Sequence, residues 1–178
     1  MRRILSVLVV GSLLGWFPAL AQMPDGSASR AAMDRLGFMV GVWRGEAWMQ
    51  RGRERVQTTM TETVERKLGG VVFQVEGIGV LAAADSAQRR VVHHALGVIS
   101  FDPQSGNYGL RSYIASGQSG DFAVTLLPDG VSWSREVPGG RIRNTARFAG
   151  GVWHEVGEFS RDGTTWVPIM EMRLKKQD

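Results

Sequence analysis

From Val42 onward, short groups of turn-forming residues recur along the chain and leave room between them only for extended segments. Gly69-Gly70, Asp102-Pro103 with Gly106, Asp129-Gly130, Gly139-Gly140, Gly150-Gly151 and Asp162-Gly163 supply the left-handed positions that tight hairpins require. Between them the apolar period is two, the signature of a strand with one face buried. This spacing predicts ten strands: Val42–Gln50, Glu54–Leu68, Gly70–Leu81, Arg90–Phe101, Tyr108–Ser116, Asp121–Leu127, Val131–Glu136, Arg141–Phe148, Val152–Ser160 and Thr164–Leu174. Only Ala82–Arg89 forms a longer link.

Strands joined by hairpins in chain order run antiparallel. An open meander of this kind leaves two edges of unpaired backbone, and closure removes both. The expected fold is therefore all-β: a ten-stranded antiparallel up-and-down β-barrel with a short N-terminal helix, wide enough to enclose a small ligand. The rival, a flat open sheet, needs a cover for a whole apolar face, and one short helix is too small. That helix is read over Arg30–Met39 with Ser29 as its cap. Met33, Leu36 and Val40 give it an apolar face, Gly37 weakens it and Gly41 ends it.

The first 21 residues read as a secretory signal. Arg2-Arg3 form the positive region, Ile4 to Phe17 the apolar region, and Pro18-Ala19-Leu20-Ala21 the cleavage site, so Gln22 is expected to begin the mature chain. The rival reading, a membrane anchor, needs a run of about 20 apolar residues, longer than this one. The expected location is the periplasm or the extracellular space, with no membrane insertion after cleavage. Residues 22–28 read as a flexible lead-in, and 29–178 as the barrel domain. There is no cysteine, so neither a lipid anchor on cysteine nor a disulfide is available. The fold must rest on its core, for which about 155 residues suffice. Removal of Arg2 and Arg3 leaves 19 basic against 17 acidic residues. That balance, spread along the chain without a stripe, implies no nucleic-acid partner.

Alternation assigns interior faces. Val56, Thr58, Met60, Glu62 and Val64 face inward on the second strand, because the opposite face is Gln57, Thr59, Thr61, Thr63 and Glu65. The third strand turns Val71, Phe73, Val75, Gly77 and Gly79 inward, the eighth Ile142, Asn144, Ala146 and Phe148, and the tenth Trp166, Pro168, Met170, Met172 and Leu174. Strands four, five and nine are apolar or mixed on both faces, and they hold all three histidines. Closure brings Met49, Met60, Met170 and Met172 onto three adjacent strands. Methionines there either adapt to a variable apolar ligand or simply fill the core.

Glu62 is the carboxylate of most interest, since its parity places it inside. A buried carboxylate takes a partner or stays neutral. Arg111, Asn144 and His154 are candidate partners for a polar cluster that orients a ligand head group. The alternative is a Glu62 solvated at the barrel mouth. Arg111 and Tyr113 share a face and compete with Tyr108 and Leu110 for the inside. The adjacent His93 and His94 point to opposite faces of a strand and cannot chelate one metal together. Gly77-Ile78-Gly79-Val80-Leu81-Ala82 imitates a dinucleotide fingerprint but sits among hairpins, without the strand–helix unit that motif needs. No Gly-x-Ser-x-Gly, His-Glu-x-x-His or cysteine nucleophile is present.

Leu36-Gly37-Phe38-Met39-Val40-Gly41-Val42-Trp43-Arg44-Gly45-Glu46 resembles the opening of calycin barrels, and within them the bacterial lipocalin-like and nitrobindin-like families. The run from Trp153 through Asp162-Gly163 to Trp166, with Glu171-Met172, resembles the same lipocalin-like set. The resemblance implies that Trp43 closes one barrel end, with Arg173 across its ring as a cation–π partner. The expected cavity of the closed barrel, by itself, points to a small, mostly apolar molecule held inside, as carrier or sensor. Nitrobindin-like barrels hold heme through a histidine near the C-terminal end. Strand ten here has none, and His154 on strand nine is the nearest. The expected ligand contacts are thus Met60, Glu62, Phe73, Arg111, Tyr113, Asn144, His154 and Met170, with no catalytic or metal-ligating set.

Overall fold

The computed structural model describes residues 25–81 and 90–178. Ten strands, β1 (Gly41–Arg51), β2 (Glu54–Lys67), β3 (Val72–Leu81), β4 (Val91–Asp102), β5 (Asn107–Ile114), β6 (Ser119–Leu127), β7 (Gly130–Val137), β8 (Gly140–Ala149), β9 (Val152–Ser160) and β10 (Val167–Lys176), follow one helix, α1 (Ser27–Asp34). Each strand pairs antiparallel with its neighbours in sequence, and β10 returns to β1, which closes the barrel. The seam runs from Trp43 opposite Lys176 to Met49 opposite Met170. Closure leaves no open sheet edge among the described strands, and the fold expected from the hairpin spacing is the fold observed. The proposed signal segment and the link over 82–89 lie outside the described residues.

Strand ends differ from the expected ones where a turn captures the chain. Leu68 and Gly69 take positive φ values of 51° and 68°, which ends β2 one residue early. Asp162 accepts the backbone N–H of Thr164 and Thr165 at 2.8 and 2.7 Å. Those residues therefore belong to the turn, and β10 starts at Val167 rather than Thr164. These same hydrogen bonds hold the Asp162 carboxyl below the ordinary range.

The helix begins at Ser27, inside the stretch read as a lead-in, and ends at Asp34. The Asp25 carboxylate accepts the Ser27 N–H at 3.1 Å, which starts the turn early. Gly37 falls where the expected helix would continue, and a 3₁₀ turn at Gly37–Met39 replaces it. The break lets Met33, Leu36 and Met39 all bury themselves in one barrel end. Tyr108 Oη donates to the Ala32 carbonyl at 2.8 Å, and Arg66 pairs with Asp34 at 2.6 Å, so the helix is tied to β5 and β2.

Trp43 is 2 % exposed and packs edge-on to Trp153 and Phe148, with ring centroids 5.8 and 5.5 Å away. Its Nε1 donates to the Met39 carbonyl at 2.8 Å. The aromatic cluster and the helix together close this end. The cation over the indole is Lys176, with Nζ 5.2 Å from the ring, and not Arg173. Parity explains the correction. Met172 and Leu174 are buried, so Arg173 between them projects outward, opposite Glu46.

Candidate functional site

Inside the barrel, beyond the Trp43 cluster, lies a cavity of about 240 Å³. The alternation of β2 carries Thr58, Met60, Glu62 and Val64 inward as expected, and all four are buried. On β4 the inward set is His93, Ala95, Gly97 and Ile99; on β5 it is Leu110, Ser112 and Ile114; on β9 it is Trp153, Glu155 and Gly157.

The hollow exists because several interior positions are glycine. Gly77 lies opposite Glu62, and a Cβ there would stand 2.5 Å from Glu62 Oε1. Gly79 lies opposite Met60, and its Cβ would meet Met60 Sδ at 2.7 Å. Gly157 lies opposite both Asn144 and Met170, which would meet its Cβ at 2.6 and 2.5 Å. Long side chains thus lie flat across a neighbouring glycine instead of crossing the bore. Gly77 and Gly79 in this way seat the side chains of Glu62 and Met60.

Two carboxyls share this cavity. Glu62 is 8 % exposed and Glu155 is 4 % exposed. Burial pushes Glu62 up to about 8. Burial and the Glu62 charge push Glu155 up to about 8, against a hydrogen bond from Trp153 Nε1 at 3.1 Å. Both are therefore largely neutral at pH 7 and can donate as well as accept. The Glu155 side chain escaped the sequence reading. The sequence Trp153-His154-Glu155-Val156 mixes polar and apolar residues on both faces, and the inward tryptophan was the available signal for its parity.

Of the residues expected to contact a ligand, Met60, Glu62, Asn144 and Met170 line the cavity. Phe73 is fully buried but lies in the closed end, with the Arg66 guanidinium over its ring at 4.9 Å. Three others face outward. Arg111 donates to Tyr113 Oη at 2.8 Å and pairs with Asp121 at 3.0 Å on the outer wall, because Leu110 and Ser112 take the inward positions. His154 meets Glu171 at 2.9 Å, also outside, because Trp153 and Glu155 face in. Hydrogen bonds from His154 and Trp48 hold Glu171 below its ordinary range. None of Arg111, Asn144 or His154 is hydrogen-bonded to Glu62. His94 faces outward to Glu76 at 2.8 Å, while His93 lines the cavity. Burial, with His94 and Arg51 nearby, holds His93 below its ordinary value. Among the described residues no group of three or more histidine or acidic side chains is placed to hold a metal ion.

No family model matches the chain, and no curated protein matches it. Among solved structures it is similar to the crystal structure of Rv2717c from M. tuberculosis, with a TM-score of 0.62 at 11 % identity. The match covers 83 % of this chain and 98 % of that one. At such identity the likeness concerns the fold alone.

Proposed function

We propose that this chain is an exported carrier or sensor that holds a small, mostly apolar molecule inside its barrel. The observation that carries the reading is the glycine-seated cavity. Its wall is mostly apolar, with Met60, Met170 and Met172 among its side chains, and a packed core would have no use for a void of that size. About 240 Å³ falls just under the roughly 300–1,000 Å³ of pockets for drug-sized ligands. A guest smaller than a drug fits that volume.

Native mass spectrometry of the protein purified from its own cells tests the reading. An added mass of small-molecule size supports a carrier, and only the bare mass under gentle conditions counts against it. The resemblance to nitrobindin-like barrels raises a heme reading, which the residues present fit poorly. His154, the histidine nearest the C-terminal position, is hydrogen-bonded on the outer wall; the imidazole that does line the cavity, His93, lies on β4, away from that position, and shares the cavity with two carboxyls. A heme titration without a Soret band retires it. Export is tested by the N-terminus of the secreted protein, expected at Gln22.

A further inference from the structure

The cavity contains more acid than an apolar pocket needs. Resting on the ligand-cavity reading above, we infer that the guest is a small apolar amine, its ammonium held by the Glu62 and Glu155 carboxyl groups and its hydrocarbon body against Met60, Met172 and Trp133. Glu62 is more than nine-tenths buried, lines the cavity and has no hydrogen-bond partner among the described residues. Glu155 has one, on Oε2. Among the described residues no lysine or arginine side chain lines the cavity, so an ionised acid there has no counter-charge from them. A neutral acceptor ligand could be held by hydroxyl or amide groups without burying two acids. An anion would find no cation among the described lining residues to pair with. An ammonium supplies the charge that an ionised carboxyl there needs, and Trp133 and Trp153 are among the lining side chains.

The other charged and titratable groups on these faces lie at the cavity wall, beside it and at the closed end. His93 is neutral at the cavity wall. Arg135, on the face of β7 that carries Trp133, is stacked on Phe122 at 5.0 Å. At the closed end Arg66 pairs with Asp34, Lys176 lies over Trp43, and Tyr108 is bonded to Ala32. The empty site is protonated at neutral pH. An ammonium entering it therefore drives one carboxyl proton into solvent and leaves a carboxylate–ammonium pair. Alkyl ammonium groups stay charged well above this range, as lysine does at about 10.4. The binding step thus releases one proton below about pH 8.

Isothermal titration calorimetry of the mature protein with 2-phenylethylamine and with 2-phenylethanol, at pH 6, 7 and 8, tests this. At pH 8 the amine is expected to bind at least tenfold tighter than the alcohol. Its affinity should fall about tenfold per unit as the pH drops, with one proton released in buffers of different ionisation enthalpy. Glu62→Gln and Glu155→Gln should each remove the preference for amine while the alcohol still binds. The retained alcohol affinity shows that the variants are folded. If the alcohol binds as tightly as the amine at every pH, the amine inference is overturned and the apolar cavity stands. If neither binds, the cavity reading itself falls, and the inference with it.

Discussion

Glu62→Gln should make the protein more stable, and by an amount that grows with pH. In the unfolded chain the carboxyl titrates near 4.5, and in the barrel burial pushes it up to about 8. Below pH 4.5 both states hold the proton and Glu62 imposes no pH dependence. Between 4.5 and 8 the unfolded state loses its proton while the folded state keeps it, so stability falls as pH rises. Above 8 both states have lost it and the dependence ends. The full window corresponds to roughly 5 kcal/mol, at about 1.4 kcal/mol per pH unit. Glutamine matches the neutral acid in shape and carries no charge at any pH. The variant should therefore lie within about 1 kcal/mol of the parent at pH 5 and exceed it by roughly 3–4 kcal/mol at pH 8. Relief of Glu155 adds to the gain, because the Glu62 charge is one of the causes that raise it. His93 acts in the opposite sense, since a depressed imidazole loses stability as pH falls, but it is common to both proteins and cancels in the difference. Urea unfolding followed by tryptophan fluorescence, from pH 5 to 8, measures the gap. A constant gap, or one that closes toward pH 8, would show that Glu62 is ionised in the folded state and refute the placement of a neutral acid in the bore.

The closed end and the seam make separate predictions. Trp43→Ala removes a buried indole and its bond to Met39, and should cost about 3–5 kcal/mol in chemical denaturation; Trp43→Phe should cost less than half of that. Gly45→Ala puts a Cβ 2.1 Å from the Arg173 carbonyl, a backbone atom of the neighbouring strand, and should destabilise the barrel by about 3 kcal/mol or more, with loss of hydrogen-exchange protection first across β1 and β10. Arg111→Ala and His154→Ala alter the outer wall and should leave the affinity for any interior ligand within about twofold, measured by calorimetry.

The hairpins were legible because their chemistry is local. A glycine pair or Asp-Gly specifies a turn from a few residues, and closure follows from the cost of exposed edges. The inward face of β2 was equally legible, since Thr59, Thr61, Thr63 and Glu65 leave Met60, Glu62 and Val64 with one direction to point. Strand nine was not. Val152, His154, Val156 and Glu158 are as apolar as Trp153, Glu155, Gly157 and Phe159, so alternation has nothing to choose between. What fixes its face is a contact from elsewhere in the chain, Trp153 against Trp43 at the closed end. A one-residue error in parity there exchanges His154 for Glu155, and with them an iron ligand for an acid. The existence of the helix was legible, but its extent was not, for a related reason. Its apolar spacing was visible, but the break before Gly37 is set by the need to place Met39 over the barrel end, where its carbonyl meets Trp43.

The closed end and the bore differ in what they contribute to stability. At one end Met33, Leu36, Trp43, Phe73 and Trp153 are nearly or fully buried and interlock without a polar atom left over, apart from those already bonded. In the middle, inward glycines forgo side-chain contacts and two acids forgo solvation, both of which weaken the folded state. Natural sequences give up local stability where a site requires it. A barrel selected only to stand would have placed valine or leucine at Gly77 and Gly157, and an apolar residue at Glu155. That these positions are instead glycine and acid is the strongest physical reason to regard the bore as a site, because each departure is costly alone and together they leave a cavity lined by two buried carboxyls.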